Sequence, residues 1–299
     1  MPIGRMGYML LIAAAWCLWG ASPAAAQAYP CSGPGPGERM IGMTPGGNGI
    51  APVPLCVRDG GGAGAPVTYV DTVASIAWHA EAADVWVEGS YDGPNTAERV
   101  ALQACNEAMG GGCSSIGEWK NSSMAILRDR QGYFYSAWLG DGGATRKKVM
   151  ADCSAKQLLP CEQFGKYGAG TRRRWPGAGV RKAFAAGAWV TASDAYDGKL
   201  YVAGGAATAD AATAAALKAC ADATRQECNV TALSGNGIIQ TYRMNGGDDT
   251  ATVETSAKRA RAAAELYCKQ KKAESCVMQR QFDARTPGLF VHDFAAPRP

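Results

Sequence analysis

Apolar residues in this chain follow two rhythms that take turns. Runs that alternate or stay continuously apolar, VASIAWHA and DVWVEGSY, then SMAILRD and GYFYSAWL, read as β-strands. In the second half FAAGAWVTAS and KLYVAGGA play the same part, joined by DAYDGK, whose Asp-Gly pair favours a tight hairpin turn. GIIQTYRM and a terminal LFVHDF follow.

Between these runs the spacing lengthens to that of helices. In PNTAERVALQAC, Asn95 is a candidate N-cap with Glu98 three positions on, and Ala97, Val100, Ala104, Cys105 and Ala108 share one face. Thr208 can cap ADAATAAALKAC, where Ala212, Ala216, Ala219, Cys220 and Ala223 form a slim face suited to close approach. Thr145 is the candidate cap of a helix between these two, and Thr255 or a neighbour that of a fourth.

Each helix ends near a cysteine with a second cysteine eight positions later: Cys105 and Cys113, Cys153 and Cys161, Cys220 and Cys228, Cys268 and Cys276. The first two pairs are 48 residues apart, as are the last two, and the halves are offset by 115 throughout. Such regularity predicts two tandem similar domains, each built from two units. Each pair reads as a disulfide tying a helix's end to the strand that follows, and Cys31 and Cys56 then pair with each other. Zinc is the rival reading, but the eight-residue spacing exceeds that of common zinc sites and no His lies near any pair. The expected class is α+β, each domain a mostly antiparallel sheet covered by two helices.

Composition adds compartment. Arg5, the apolar run YMLLIAAAWCLWG and the small-residue stretch ASPAAA read as a secretory signal over residues 1–26, cleaved near Ala26. Export would carry the cysteines into an oxidising, periplasmic setting. That apolar run is too short to span a bilayer, so no membrane insertion is expected. Residues 27–66, rich in Gly and Pro, read as an arm closed by one disulfide and ending in a flexible stretch, DGGGAGAP. The first domain is expected over 67–170, a linker over 171–178 and the second domain over 179–299.

The formal net charge of +4 is too small for a nucleic-acid binder. No convergent catalytic set is visible, so no enzymatic role, metal or cofactor is expected. The chain has only two His. His79 reads as a strand-end residue facing solvent or packed beside Trp78, and His292 as the polar face of a terminal strand. Asp248 and Asp249 sit beside an Asn-Gly-Gly turn signal, where solvated acids are the default.

Binding is the better-supported role. Arg172, Arg173, Arg174 and Trp175 offer residue types enriched in interface hot spots, against a plain solvated linker. Lys258, Arg261, Lys269 and Lys272 give the fourth helix a basic face, although such a face is usually just solvated. The aromatic run Tyr133, Phe134, Tyr135 and Trp138 could form a carbohydrate-binding strip, against the commoner reading of one buried and one partly exposed sheet face.

IAW, AERVALQAC, GGGC and SSMAIL together resemble an exported bacterial family known as domain of unknown function 4189, over residues 73–128 and more weakly over 184–243. Ser122 and Ser123 stand where that family often has another Cys. The arm at 31–56 resembles the leader of such proteins in xanthomonad-type bacteria. The resemblance implies a periplasmic immunity protein that neutralises a secreted antibacterial toxin by steric occlusion, with a cognate toxin as its partner. It carries no catalytic residues. The alternatives are a cell-envelope module binding glycan or peptidoglycan and, behind it, an uncharacterised hydrolase.

Overall fold

The computed structural model describes residues 27–45, 52–58, 70–177 and 179–295. The expected signal segment and the DGGGAGAP stretch lie outside these residues. The chain divides into two compact units, residues 1–69 and 70–299.

In the first unit the expected arm carries a small antiparallel sheet. β1 (Tyr29–Pro30), β2 (Glu38–Met43) and β3 (Pro54–Arg58) pair in the order β1-β3-β2. The Cys31–Cys56 disulfide joins the residue after β1 to the centre of β3. With so few apolar side chains to bury, this covalent tie holds the sheet together.

The second unit repeats one order of elements, strand, strand, helix, strand, four times. β4 (Val73–Trp78), β5 (Trp86–Tyr91), α1 (Thr96–Met109) and β6 (Ser114–Lys120) come first. β7 (Ser123–Arg128), β8 (Phe134–Trp138), α2 (Ala144–Ser154) and β9 (Glu162–Gly168) follow. The third set is β10 (Phe184–Val190), β11 (Lys199–Ala206), α3 (Ala209–Thr224) and β12 (Cys228–Gly235). The fourth is β13 (Ile238–Met244), β14 (Asp248–Glu254), α4 (Ala257–Gln270) and β15 (Cys276–Asp283). In every set the first strand is central, flanked by its hairpin partner and by the strand after the helix, all antiparallel. β16 (Gly288–Asp293) then returns to the open side of β11.

The class is therefore α+β with antiparallel sheets, and the strands divide into small sheets with one helix each. Alternate side chains of β4 explain the layering. Ala77 joins Trp86, Ala101, Ala104 and Cys105 beneath α1, whereas Ala74 and Ile76 face Met124 and Ile126 of the second sheet. β10 does likewise: Ala186 and Ala188 lie under α3, and Ala185 meets Ile239 and Val253 of the fourth sheet. Central strands buried on both faces read as unbroken apolar runs. Within each half, two sheets pack face to face with helices outside.

All four helix-to-strand disulfides form as the spacing predicts. The caps divide. Thr208 accepts from the Ala211 amide as expected. Asn95, however, is left-handed and makes no side-chain cap. Its amide and that of Glu98 both donate to the Glu118 carboxylate on β6, which replaces the expected capping box. Asp141, not Thr145, caps α2 by accepting from the Thr145 amide at 2.8 Å, and Ser256 caps α4. The buried face of α1 runs through Ala97, Ala101, Ala104, Cys105 and Met109, so Val100 and Ala108 fall outside it.

Candidate functional site

Residues 171–175, expected as a linker, run along the edge of β5. Val87 and Arg174 exchange both backbone hydrogen bonds at 2.9 Å, an isolated antiparallel bridge. This is the position on the first sheet that β16 takes on the third, where Val202 faces Phe290. Each half thus ends by returning to the edge of its own opening hairpin.

Beside that bridge two of the three expected arginines pair with acids of the same unit. Arg174 makes a two-point ion pair with Asp84. Arg173 donates from Nε to Glu88 at 2.9 Å, and Glu88 is buried. The Arg173 guanidinium also stacks on the Trp175 ring, 4.2 Å from its centroid. Arg172 is exposed, and Trp175 remains 41% exposed. The result is an exposed Trp–Arg pair fixed by an acid beneath it.

The basic side chains of the fourth helix are arranged differently. Lys258, Arg261 and Lys269 are exposed on α4, with Arg261 paired to Glu265 one turn away at 2.9 Å. Lys272 lies beyond the end of the helix with φ of +52°, so it does not extend that face.

A second feature grows from the aromatic run. Phe134 stacks with Trp78 at 6.3 Å and tilts against Phe164 at 4.8 Å, which makes a wall at the end of β4. One side of this wall borders an open groove of about 420 Å³, lined by Tyr135, Val149, Asp152 and Lys156 among others. The other side borders a smaller cavity that includes His79 and Lys182. Trp138 is exposed on the same strand and donates from Nε1 to Ser122 at 2.8 Å.

The remaining candidates are structural. His292 is half-buried rather than on a solvated polar face. Its Nε2 lies 2.8 Å from Gln279 Oε1 and its ring meets Phe294 edge-on at 4.6 Å. Burial, reinforced by Arg280, holds its pKa below the ordinary value. Asp249 is not a solvated turn acid: its side chain is buried on β14, binds Arg243 at 2.6 Å and accepts from the Tyr196 hydroxyl at 3.0 Å. Burial and that carboxylate raise the Tyr196 pKa.

Two groups escaped the sequence reading. Glu88 was signalled by an acid inside the apolar run DVWVEGSY. Lys182 was signalled only by a charge placed directly ahead of an Ala-rich strand. Among the described residues, no cluster of His, Cys, Asp and Glu is arranged to hold a metal ion, and no helix is long and apolar enough to cross a membrane.

Fold and surface together define an α+β protein of small antiparallel sheets stapled by local disulfides. Residues 74–167, the first two sets of elements less one residue at each end, match the model of a family described as Domain of unknown function (DUF4189). No curated protein and no solved structure matches the chain.

Proposed function

We propose that this is an exported binding protein that covers a protein partner, a secreted antibacterial toxin, and so neutralises it in the periplasm. The observation that carries the reading is the exposed Trp175 held by Arg173, itself tied to buried Glu88. Trp and Arg are the residues most enriched in binding hot spots, and a side chain already ordered in the free protein loses less entropy on docking. Disulfides across every set of elements keep the surface stiff and suit an oxidising compartment. The test is co-purification with the toxin encoded beside this gene, together with survival of cells exporting both. Trp175→Ala is expected to weaken binding about tenfold or more while leaving the fold intact. Absence of both capture and protection would end the proposal.

The groove beside Trp78 and Phe134 favours a second reading, a module that binds cell-envelope glycan. Its Tyr135, Asp152 and Lys156 supply the mixture of ring faces and polar groups that sugars require. Co-sedimentation with purified sacculi, lost in Tyr135→Ala, is its expected signature.

A further inference from the structure

Behind the aromatic wall lies a cavity of about 210 Å³, bounded by the end of β4, the turn before β6, the β7–β8 turn and the segment entering β10. We propose that this cavity binds a small carboxylate carried on a single ring, with the ring against Trp78 and Phe134 and the carboxylate against Lys182 and His79.

The lining explains the charge. Among the residues bordering the cavity none is Asp or Glu, while Lys182, His79 and Ser114 offer hydrogen-bond donors. Lys182 is only 4% exposed. Its Nζ donates to the backbone carbonyls of Ala80 at 2.9 Å and Gly132 at 2.6 Å, and lies 5.0 Å from the centroid of Tyr133 and 5.7 Å from that of Phe134. Dipoles and ring faces therefore solvate this cation, and none of these partners carries a counter-charge. Burial depresses the Lys182 pKa to about 8; Asp129 opposes that effect and Arg128 adds to it. An incoming carboxylate supplies the missing negative charge beside this buried amine, where the attraction is stronger than in bulk water.

His79 has its tautomer set by the backbone. Its Nδ1 accepts from the Glu81 amide at 3.1 Å, so the neutral ring keeps its proton on Nε2. That nitrogen borders Gly112, where a Cβ would sit 3.0 Å from it. Gly112 has φ of +78°, so both the turn and the space beside Nε2 favour glycine.

The walls explain the ring. Trp78 and Phe134 lie within 26° of parallel, and Tyr133 adds a third ring to the lining. The volume falls below the roughly 300–1,000 Å³ of drug-sized pockets, which suits one ring and not an oligosaccharide. The site does not depend on the protein-partner reading. It also needs a residue beyond the 74–167 segment, because Lys182 enters from the second half.

The test is calorimetric titration of the full mature chain with benzoate and with glucuronate, using benzyl alcohol and glucose as neutral counterparts. At least one acid is expected to bind about tenfold or more tightly than its counterpart. Which acid binds tells an aromatic source from a sugar-acid source. Tyr133 lies against Lys182 and His79 shares its cavity, while Arg128 acts on it from β7 and Asp129 from the turn that follows. Affinity for the acid is expected to fall as pH rises through about 8, as the ammonium loses its proton, and to level off once the amine is neutral. Lys182→Met is expected to erase the preference for acid over neutral ligand. Should that variant fail to fold, the pH profile of the unaltered protein decides. Equal binding of acid and neutral ligand, a flat profile from about pH 7 to about 9.5, or no binding of either acid at about 10 mM overturns the proposal.

Discussion

Arg174 meets both carboxylate oxygens of Asp84 at 2.8 Å across 90 residues of sequence. The same guanidinium donates to the Val85 carbonyl at 3.1 Å. Together with the backbone bridge at Val87, this clamps the chain between the halves onto β5. Replacing Arg174 with Met is expected to lower stability by about 1 kcal/mol, since the pair is partly solvated. In a double-mutant cycle with Asp84→Asn, followed by urea unfolding, the two losses are expected to be non-additive. Simple additivity would show that the clamp is decorative.

Glu118 caps a helix to which it does not belong. Its carboxylate accepts from the Asn95 and Glu98 amides at 2.8 and 3.2 Å. Glu118→Ala removes an acceptor from two N-terminal amides and is expected to cost about 0.5–2 kcal/mol, the range for cap removal. Asn95→Gly at the same end, which keeps the left-handed backbone unstrained, is not expected to show a cap loss, because Asn95 makes no side-chain cap bond. Comparing the two by thermal denaturation separates the capping schemes.

The four short disulfides each close a loop between cysteines eight positions apart. Replacing Cys220 and Cys228 together with Ala is expected to cost about 2–3 kcal/mol, chiefly by freeing the unfolded chain. Denaturant unfolding of the unaltered protein with and without a reductant checks the sum. A reduced protein as stable as the oxidised one would contradict it.

Two neighbouring carboxylates titrate in opposite senses. Glu254 is fully buried, with Oε2 accepting from Arg259 at 2.9 Å and Oε1 without a hydrogen-bond partner. Burial raises its pKa above the ordinary 4.5, and Arg259 only partly offsets this. Its contribution is therefore fully present below pH 4.5 and is lost as pH rises through the folded-state value. For Glu162 burial is outweighed by Arg128, Thr255 and Arg259 together, which leaves the pKa below 4.5; its contribution is present above that pH and is lost on acidification. Glu254→Gln is expected to gain stability relative to the unaltered protein as pH rises above 4.5, and Glu162→Gln to lose it. Unfolding midpoints measured across that window check both signs.

Much of the scaffold was legible because it depends on short-range chemistry. Cys105 and Cys113 are brought together by one helix end and one turn, so their spacing announces the bond. Thr208 caps the helix that begins beside it. Glu118 was not legible as a cap because the amides it serves lie 20 and 23 residues away. Asp249 looked like a turn acid until the β13–β14 pairing set Arg243 directly opposite it.

The amino-acid sequence alone determined where strands and helices alternate, how the four eight-residue cysteine pairs bond and that the pattern recurs, since all of these arise from contacts a few residues apart. Tertiary packing decided which charges are tied to acids, as Arg174 is to Asp84 and the still-exposed Arg173 is to Glu88, and which stay unpaired on the surface. It also made the cavity at Lys182, whose ammonium is held by carbonyls 102 and 50 residues away. Backbone oxygens so distant leave no trace in residue type, and only the folding of the two halves against each other gathers them around one amine.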